Sequence, residues 1–297
     1  MHVDLNSFAK LVVSIDVEDW PQSTWDHSLE ISDRAVRNTE RVLNILAKYR
    51  KTVTMFVLGK FAERFPDTVK NILSAGHEVA CHGYGHIEIF RQTPDEFRQD
   101  AQRAKGFLED LLGVPVLGYR APDFSVVSST LWALDTLSEL GFQYDSSVFP
   151  TKQKRYGIGG WPTCPVRVRL RSGREIVQLP ISVACVFGRR FGVAGGGYHR
   201  LLPWTMIRLV IARKLRRGEP FIAYCHPYEF DPAEFESLQF RVPIRVRLHQ
   251  GVGRKGFQRK FERMLAHFDM AKASTLLLAR DSMPVYQVQT NEEGTRK

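Results

Sequence analysis

Apolar residues along this chain fall into short unbroken runs that alternate with longer stretches of helical period. LVVSID (11–16) is continuous in branched residues and ends in a carboxylate, the pattern of a strand buried on both faces. Residues 34–49 place Val36, Leu43, Leu46 and Ala47 on one helical face. TVTMFVLG (52–59) predicts a second strand, followed by a helix to about Ser74 that Gly76 stops; HEVAC (77–81) predicts a third. The clearest helix start is TPDE (93–96), where Thr93 caps, Pro94 suits the first turn and Glu96 completes a capping box. That helix runs to Leu112, and Gly113 ends it. VPVLGYR (114–120) as a strand, 128–141 as a helix and FQYDSS (142–147) as a strand continue the series. Repeated strand–helix units of this length predict an α/β fold with a parallel sheet and helices outside it.

From about residue 150 the pattern loosens. YGIGGWP and VAGGGYH read as glycine-rich loops, and 167–179 as a hairpin pair around SGR. Strand signal returns in PFIAYCHPYEF (220–230). Beyond 240 the chain is strongly basic, and the closing NEEGTRK reads as disordered. The expected organisation is one catalytic barrel over 1–232, with a loop and hairpin insertion over about 150–204, and a basic C-terminal extension over 233–297.

Composition narrows the classes. The 297 residues are 43% hydrophobic and 25% charged, as in soluble globular proteins. No apolar run nears the roughly 20 residues that span a bilayer. The N-terminus lacks a signal-peptide layout, so the expected location is cytoplasmic, either free or at the inner face of the membrane. Cys81, Cys164, Cys185 and Cys225 show no CxxC spacing, which argues against a disulfide framework or zinc knuckle. The net charge of +10 favours anionic partners. With no nucleic-acid module in view, that leaves a membrane surface or a phosphorylated substrate.

The reactive residues gather after strands. Asp16, Glu18 and Asp19 follow the first, and His82 and His86 follow HEVAC. Arg120 follows VPVLGY, Asp145 ends FQY, and His226 with Glu229 ends FIAYC. In parallel α/β barrels the strand ends share one face, and catalytic groups sit there. His82 and His86 are four apart, but Gly83 and Gly85 lie between them, and a helical glycine costs about 1 kcal/mol. The segment is therefore a turn: either an ordinary polar one, or one whose glycines let two imidazoles face a single ion. The IDVED acids at another strand end favour the ion, since a carboxylate plus two imidazoles leaves positions open for water and substrate.

The order IDVEDW, HGYGH, RAP, YDSS, CHP resembles the five motifs of carbohydrate esterase family 4, the polysaccharide deacetylases. SIDVEDW, TMFVLGKFAERFP, GHEVACHGYGH, LGYRAPDFS and LWALDTLSELGFQYDSSVFP resemble its exosortase-associated branch, found with exopolysaccharide and surface-glycan biosynthesis. The likeness runs from about 11 to 232 and takes in AGGGYHRLLPW and HPYEFDP. It implies a deformed (β/α) barrel and a divalent metal, usually Zn2+, that removes an acetyl group from an N-acetylated sugar, in polymer, nucleotide-linked or lipid-linked form. Peripheral membrane contact through the basic C-terminal region goes with the last of these. By motif, Asp16 is the general base, Arg120 orients it, His82 and His86 are metal ligands, and His226 is the general acid that Asp145 tunes. The metal carboxylate is Glu18 or Asp19, because DVED stands where the family more often has adjacent aspartates.

Gly83 also replaces a common hydroxyl residue, and Tyr224-Cys225-His226 a common Leu-x-His. Cys81 and Cys225 precede site histidines, so strand alternation turns both away from the metal. Trp20, Tyr84, Asp123, Phe124 and Tyr198 are candidate sugar contacts, with Trp25 and Trp161 on nearby loops; local packing or solvation is the alternative for each. Gly195–Gly197 suit a close backbone approach or a tight turn. Two further functions fit the same scaffold: an allantoinase-like or other non-sugar C–N amidohydrolase, and a catalytically inactive glycan-binding protein.

Overall fold

The computed structural model describes residues 9–288 apart from 154, 237 and 239; the NEEGTRK tail lies outside them. The strands are β1 (Leu11–Val17), β2 (Thr54–Val57), β3 (Glu78–Cys81), β4 (Gly118–Tyr119), β5 (Tyr144–Asp145), β6 (Val166–Arg169), β7 (Glu175–Gln178), β8 (Val183–Val186), β9 (Arg189–Gly192), β10 (Phe221–Cys225), β11 (Met270–Ala271) and β12 (Val285–Gln287). The helices are α1 (Asp33–Lys48), α2 (Gly59–Arg64), α3 (Pro66–Ser74), α4 (Pro94–Leu112), α5 (Trp132–Glu139), α6 (Gly196–Leu201), α7 (Trp204–Leu215), α8 (Ile244–Gly251) and α9 (Arg254–His267).

β1 is buried along its whole length, Ser14 and Asp16 included, as a strand covered on both faces is. It pairs in parallel with β10 on one side and β2 on the other, and the sheet runs β10–β1–β2–β3–β4–β5–β7–β6–β12. Only the β6–β7 hairpin, which straddles the SGR turn, is antiparallel within this path. The chain leaving β7 then reaches back to the far edge of the sheet. Ser182 N donates to the Ile222 carbonyl (3.0 Å) and Tyr224 N to that of Ala194 (2.9 Å), so the sheet curls into an irregular barrel. β8 and β9 stand apart as a separate hairpin. Past residue 233 the chain re-enters the sheet, with β11 beside the start of β1 and β12 beside β6.

Several elements depart from the pattern-based expectation. β4 keeps only Gly118–Tyr119 of 114–120, since Pro115 has no N–H for a ladder. α1 buries Ala35, Asn38, Thr39, Val42, Ile45 and Leu46, so its inner face is turned from the one expected, and Ala47 is exposed. Asn38 and Thr39 disguise that face: Thr39 satisfies its hydroxyl on the Ala35 carbonyl one turn back. The capping box at Thr93 and the left-handed Gly113 that ends α4 appear as read. Among the described residues no helix is long and apolar enough to cross a membrane.

Candidate functional site

The parallel strands β1, β3, β4 and β10 end on one side of the barrel, and the residues just past them converge there. Asp16 and Glu18 are two apart on β1 and its extension, so their carboxylates share a face while Asp19 takes the other. Glu18 Oε1 lies 2.8 Å from His82 Nε2 and 3.0 Å from His86 Nε2. All three side chains are buried, and one ligand atom from each falls within 4.8 Å of the others. His82 Nδ1 is 2.8 Å from the Arg120 carbonyl, the partner that fixes a tautomer with Nε2 free to coordinate. Burial opposes the Glu18 charge, yet His86 and His226 hold its carboxyl well below the usual carboxylate range. A buried carboxylate converging with two imidazole nitrogens is a donor set that suits zinc with open positions.

Asp19 does something else. Its carboxylate accepts the Ser32 N–H (2.6 Å) and hydroxyl (3.1 Å) at the start of α1, so of the two acids the sequence left open only Glu18 reaches the histidines. His86 has φ of +62°, a left-handed conformation uncommon for a residue with a Cβ and frequent at functional sites. The loop between the histidines is pinned from outside: Gly59 N and Lys60 N, at the start of α2, donate to the carbonyls of Gly83 and Tyr84. Tyr84 N donates to Asp100 of α4 (2.9 Å).

On one flank Arg120 Nη1 donates to Asp16 Oδ1 at 2.7 Å and to Ser14 Oγ at 2.6 Å, while Nε and Nη2 are held by Ser146. Its guanidinium sits 4.1 Å from the centre of the Phe56 ring, so its position is fixed on several sides. Past the end of β10, beside β1, the His226 imidazole stacks on Tyr228 at 4.7 Å with Nε2 3.9 Å from Glu18, and one donor atom each of Asp16, Glu18 and His226 lies within 4.8 Å of the others. Its side chain keeps 17% exposure, against 5% or less for the Glu18, His82 and His86 side chains.

The expected pairing of Asp145 with His226 is not what the structure holds. Asp145 accepts the Ser147 N–H (3.0 Å), the Ser147 hydroxyl and Gln178 Nε2 (2.7 Å). The acid beside His226 is Glu229, whose Oε2 is 3.2 Å from His226 N and 3.9 Å from Nδ1. Burial lowers the His226 pKa, but Glu18, Glu229 and Asp16 outweigh it and raise it to about 9. Sequence reading placed Glu229 at the right strand end without a role; the signal was its position three residues past the histidine, one 3-10 turn away. The GGG run also finds its reason here. A Cβ on Gly196 would collide with the Glu229 carboxylate, and one on Gly195 would lie 2.8 Å from the Tyr224 ring.

The five candidate sugar contacts scatter. Trp20 is fully buried in a cluster with Tyr228 and Val242, and Phe124 is buried edge-on to Tyr224 at 4.6 Å, so neither offers a ring face to solvent. Tyr84 points over α2 and α4, its hydroxyl bonded to Glu63 and Arg103. Tyr198 is half-buried against Gly192. Asp123 is the exposed one, ion-paired to Arg155 at 2.6 Å. Trp25 stays partly exposed between Trp20 and Phe240. All four cysteines are free, and none joins the Glu18–His82–His86 group.

Residues 18–144 match the family model described as polysaccharide deacetylase, and residues 146–278 match one described as a domain of unknown function. A peptidoglycan deacetylase of Helicobacter pylori is 34% identical over 110 residues, covering 36% of this chain and 36% of that protein. A peptidoglycan-N-acetylglucosamine deacetylase of Bacillus cereus is 28% identical over 120 residues, covering 36% of this chain and 44% of that protein. The chain thus spans less than half the length of either curated relative. Among solved structures, a candidate polysaccharide deacetylase from Mycobacterium smegmatis superposes with a TM-score of 0.63 at 22% identity over 96% of both chains. PuuE allantoinase superposes at 0.60 and 16% identity over 90% of this chain and 88% of that one. At these identities the superpositions establish the shared deformed-barrel fold.

Proposed function

We propose that this chain, which belongs to the polysaccharide deacetylase family through residues 18–144, is a metal-dependent hydrolase that removes the acetyl group from an N-acetylated sugar. The observation that carries the reading is one convergence: Glu18 is shared by two groups of donors, one with His82 and His86, the other with His226 and the Arg120-bonded Asp16. The wording of SIDVEDW, HGYGH, RAPDF, YDSS and HPYEFDP supports a place in surface polysaccharide, exopolysaccharide or lipopolysaccharide synthesis.

An amide is a weak electrophile with a poor leaving group, so its hydrolysis needs help at the carbonyl, at the water and at the amine. A divalent ion held by Glu18, His82 and His86, zinc by the donor set, would polarise the carbonyl and acidify a water. Asp16 accepts the proton that the attacking water loses, and the 2.7 Å hydrogen bond from Arg120 holds its carboxylate in place. His226, with Glu229 beside its ring, donates a proton to the nitrogen as the C–N bond breaks, so acetate leaves and a free amine remains. One donor atom each of Asp16, Glu18 and His226 lies within 4.8 Å of the others, so base and acid both border the carboxylate that would hold the ion.

The test is metal analysis of the purified chain joined to an acetate-release screen on N-acetylated nucleotide sugars, lipid-linked sugars and glycan oligomers, with ring opening of allantoin to allantoate assayed beside it. The expected result is bound divalent metal and acetate release from a sugar substrate that a chelator abolishes and zinc restores. Full activity in metal-stripped protein overturns the reading. Turnover of allantoin alone moves it to the non-sugar amidohydrolases.

A further inference from the structure

α8 is an unusual helix for this fold, because none of its residues is buried. Val246 half-packs against the Trp20, Tyr228 and Val242 cluster. At the helical period Ile244 and Leu248 fall on the opposite side, and they are 64% and 56% exposed. Val252, one further turn along, is also exposed. Arg245 and Arg247 flank this stripe, and Arg241 and Lys255 stand exposed just before and after the helix. Among the described residues none of these four cations is paired with an acid, and α8 itself contains none.

The helix is nonetheless fixed to the reaction centre. The Gln250 carbonyl at its C-terminal turn accepts from both Arg200 Nη1 and Arg254 Nε, the second at 2.8 Å. Arg200 Nε is 3.3 Å from Glu229, the acid beside His226, and Arg254 Nη1 donates to the Tyr228 carbonyl at 2.9 Å. Two buried arginines therefore hold α8 in register with the ring that stacks on the general acid.

We infer that α8 is a membrane-docking element. Ile244, Leu248 and Val252 enter the headgroup–acyl boundary of an anionic bilayer, while Arg241, Arg245, Arg247 and Lys255 meet lipid phosphates. A short apolar stripe bordered by arginines and free of acids is complementary to that surface and to little else: a protein groove would leave the cations unpaired unless it were itself acidic. Docked this way, the enzyme is held beside glycans carried at the membrane through the element that Arg200 and Arg254 tie to the His226 side of its centre. That last step rests on the deacetylase reading; the docking itself does not.

The experiment is co-sedimentation of the full, metal-loaded chain with vesicles of phosphatidylcholine alone or mixed with phosphatidylglycerol. The expected result is salt-sensitive pelleting with the mixed vesicles only, weakened roughly tenfold or more in the Ile244→Ser/Leu248→Ser double variant. Circular dichroism and the thermal midpoint confirm that the variant is folded. Phe187→Ser, which alters the exposed tip of the β8–β9 hairpin, should pellet like the wild type. Equal pelleting by the double variant, a loss confined to Phe187→Ser, or no pelleting at all overturns the inference. A concentration-dependent dimer that the double variant dissolves, without vesicle binding, assigns the face to a second copy and overturns it too. Sedimentation needs no turnover, so acetate release from a soluble glycan tests the deacetylase reading separately.

Discussion

Glu18 and Asp19 are neighbours with different tasks because successive residues leaving a strand face opposite sides. Glu18→Ala should abolish bound metal, as should His82→Ala, since each removes one of three converging donors. Asp19→Asn should keep full metal content and lose only about 0.5–1 kcal/mol, because its carboxylate serves the positive end of α1. Metal content by mass spectrometry with urea unfolding separates the two, and loss of metal in Asp19→Asn would reverse the assignment. A parallel contrast concerns His226. Glu229→Gln removes a negative neighbour of the imidazole, so its pKa falls and the basic limb of kcat/KM moves to lower pH. Asp145→Asn should leave that limb in place, because Ser147 and Gln178 already satisfy Asp145. Matched pH profiles of the two variants check this. Strand alternation was visible in the sequence and could have chosen Glu18. The choice of Glu229 over Asp145 could not be made there, since it depends on which way a 3-10 turn folds back.

At the scale of elements, the segment from His82 to His86 works because its backbone is committed elsewhere. Gly83 has φ of +75°, and a Cβ there would lie 3.0 Å from the Asp100 carboxylate that anchors Tyr84 N. Gly83→Ala should cost on the order of 1–2 kcal/mol and weaken zinc affinity, because both histidines hang on this loop. Gly196→Ala should act differently: it drives Glu229 off its seat against α6 and lowers kcat while metal affinity stays. Zinc titration beside steady-state kinetics distinguishes the two, and equal losses in both readouts would refute the division. The sequence made β1, β2, β3, the β6–β7 hairpin and the α4 capping box legible because local pattern alone determines them. It did not show the closure through Ser182 and Ala194, which are bonded to β10 across the barrel. Nor did it show the β8–β9 hairpin, whose turn at Phe187 and Gly188 carries a left-handed phenylalanine where a pattern reading looks for asparagine or glycine.

For the molecule as a whole, closing the barrel buries ionisable groups outside the Glu18–His82–His86 group, and their charges set how stability varies with pH. His77 Nδ1 accepts the Val53 N–H at 3.2 Å, a role open only to the neutral ring. Burial, with Lys272 nearby, lowers its pKa to about 4. Between pH 6.5 and 4 the unfolded chain therefore binds a proton that the folded chain refuses, and His77 makes stability fall as pH falls, by up to about 3 kcal/mol. Asp145 works in the opposite sense. Burial raises its pKa to about 6, so as pH falls towards 3.8 the folded chain takes up the proton first and gains stability. These trends overlap, and the wild-type profile alone would mask both. Substitution separates them. His77→Gln keeps an acceptor for Val53 without a titration, so its unfolding free energy should fall less steeply than that of the wild type from pH 6.5 to 4. Asp145→Asn should fall more steeply from pH 6 to 4. Urea unfolding of the three proteins across this range gives the differences directly, and parallel curves for His77→Gln and the wild type would show that the buried ring is not what sets the acid limit of the fold.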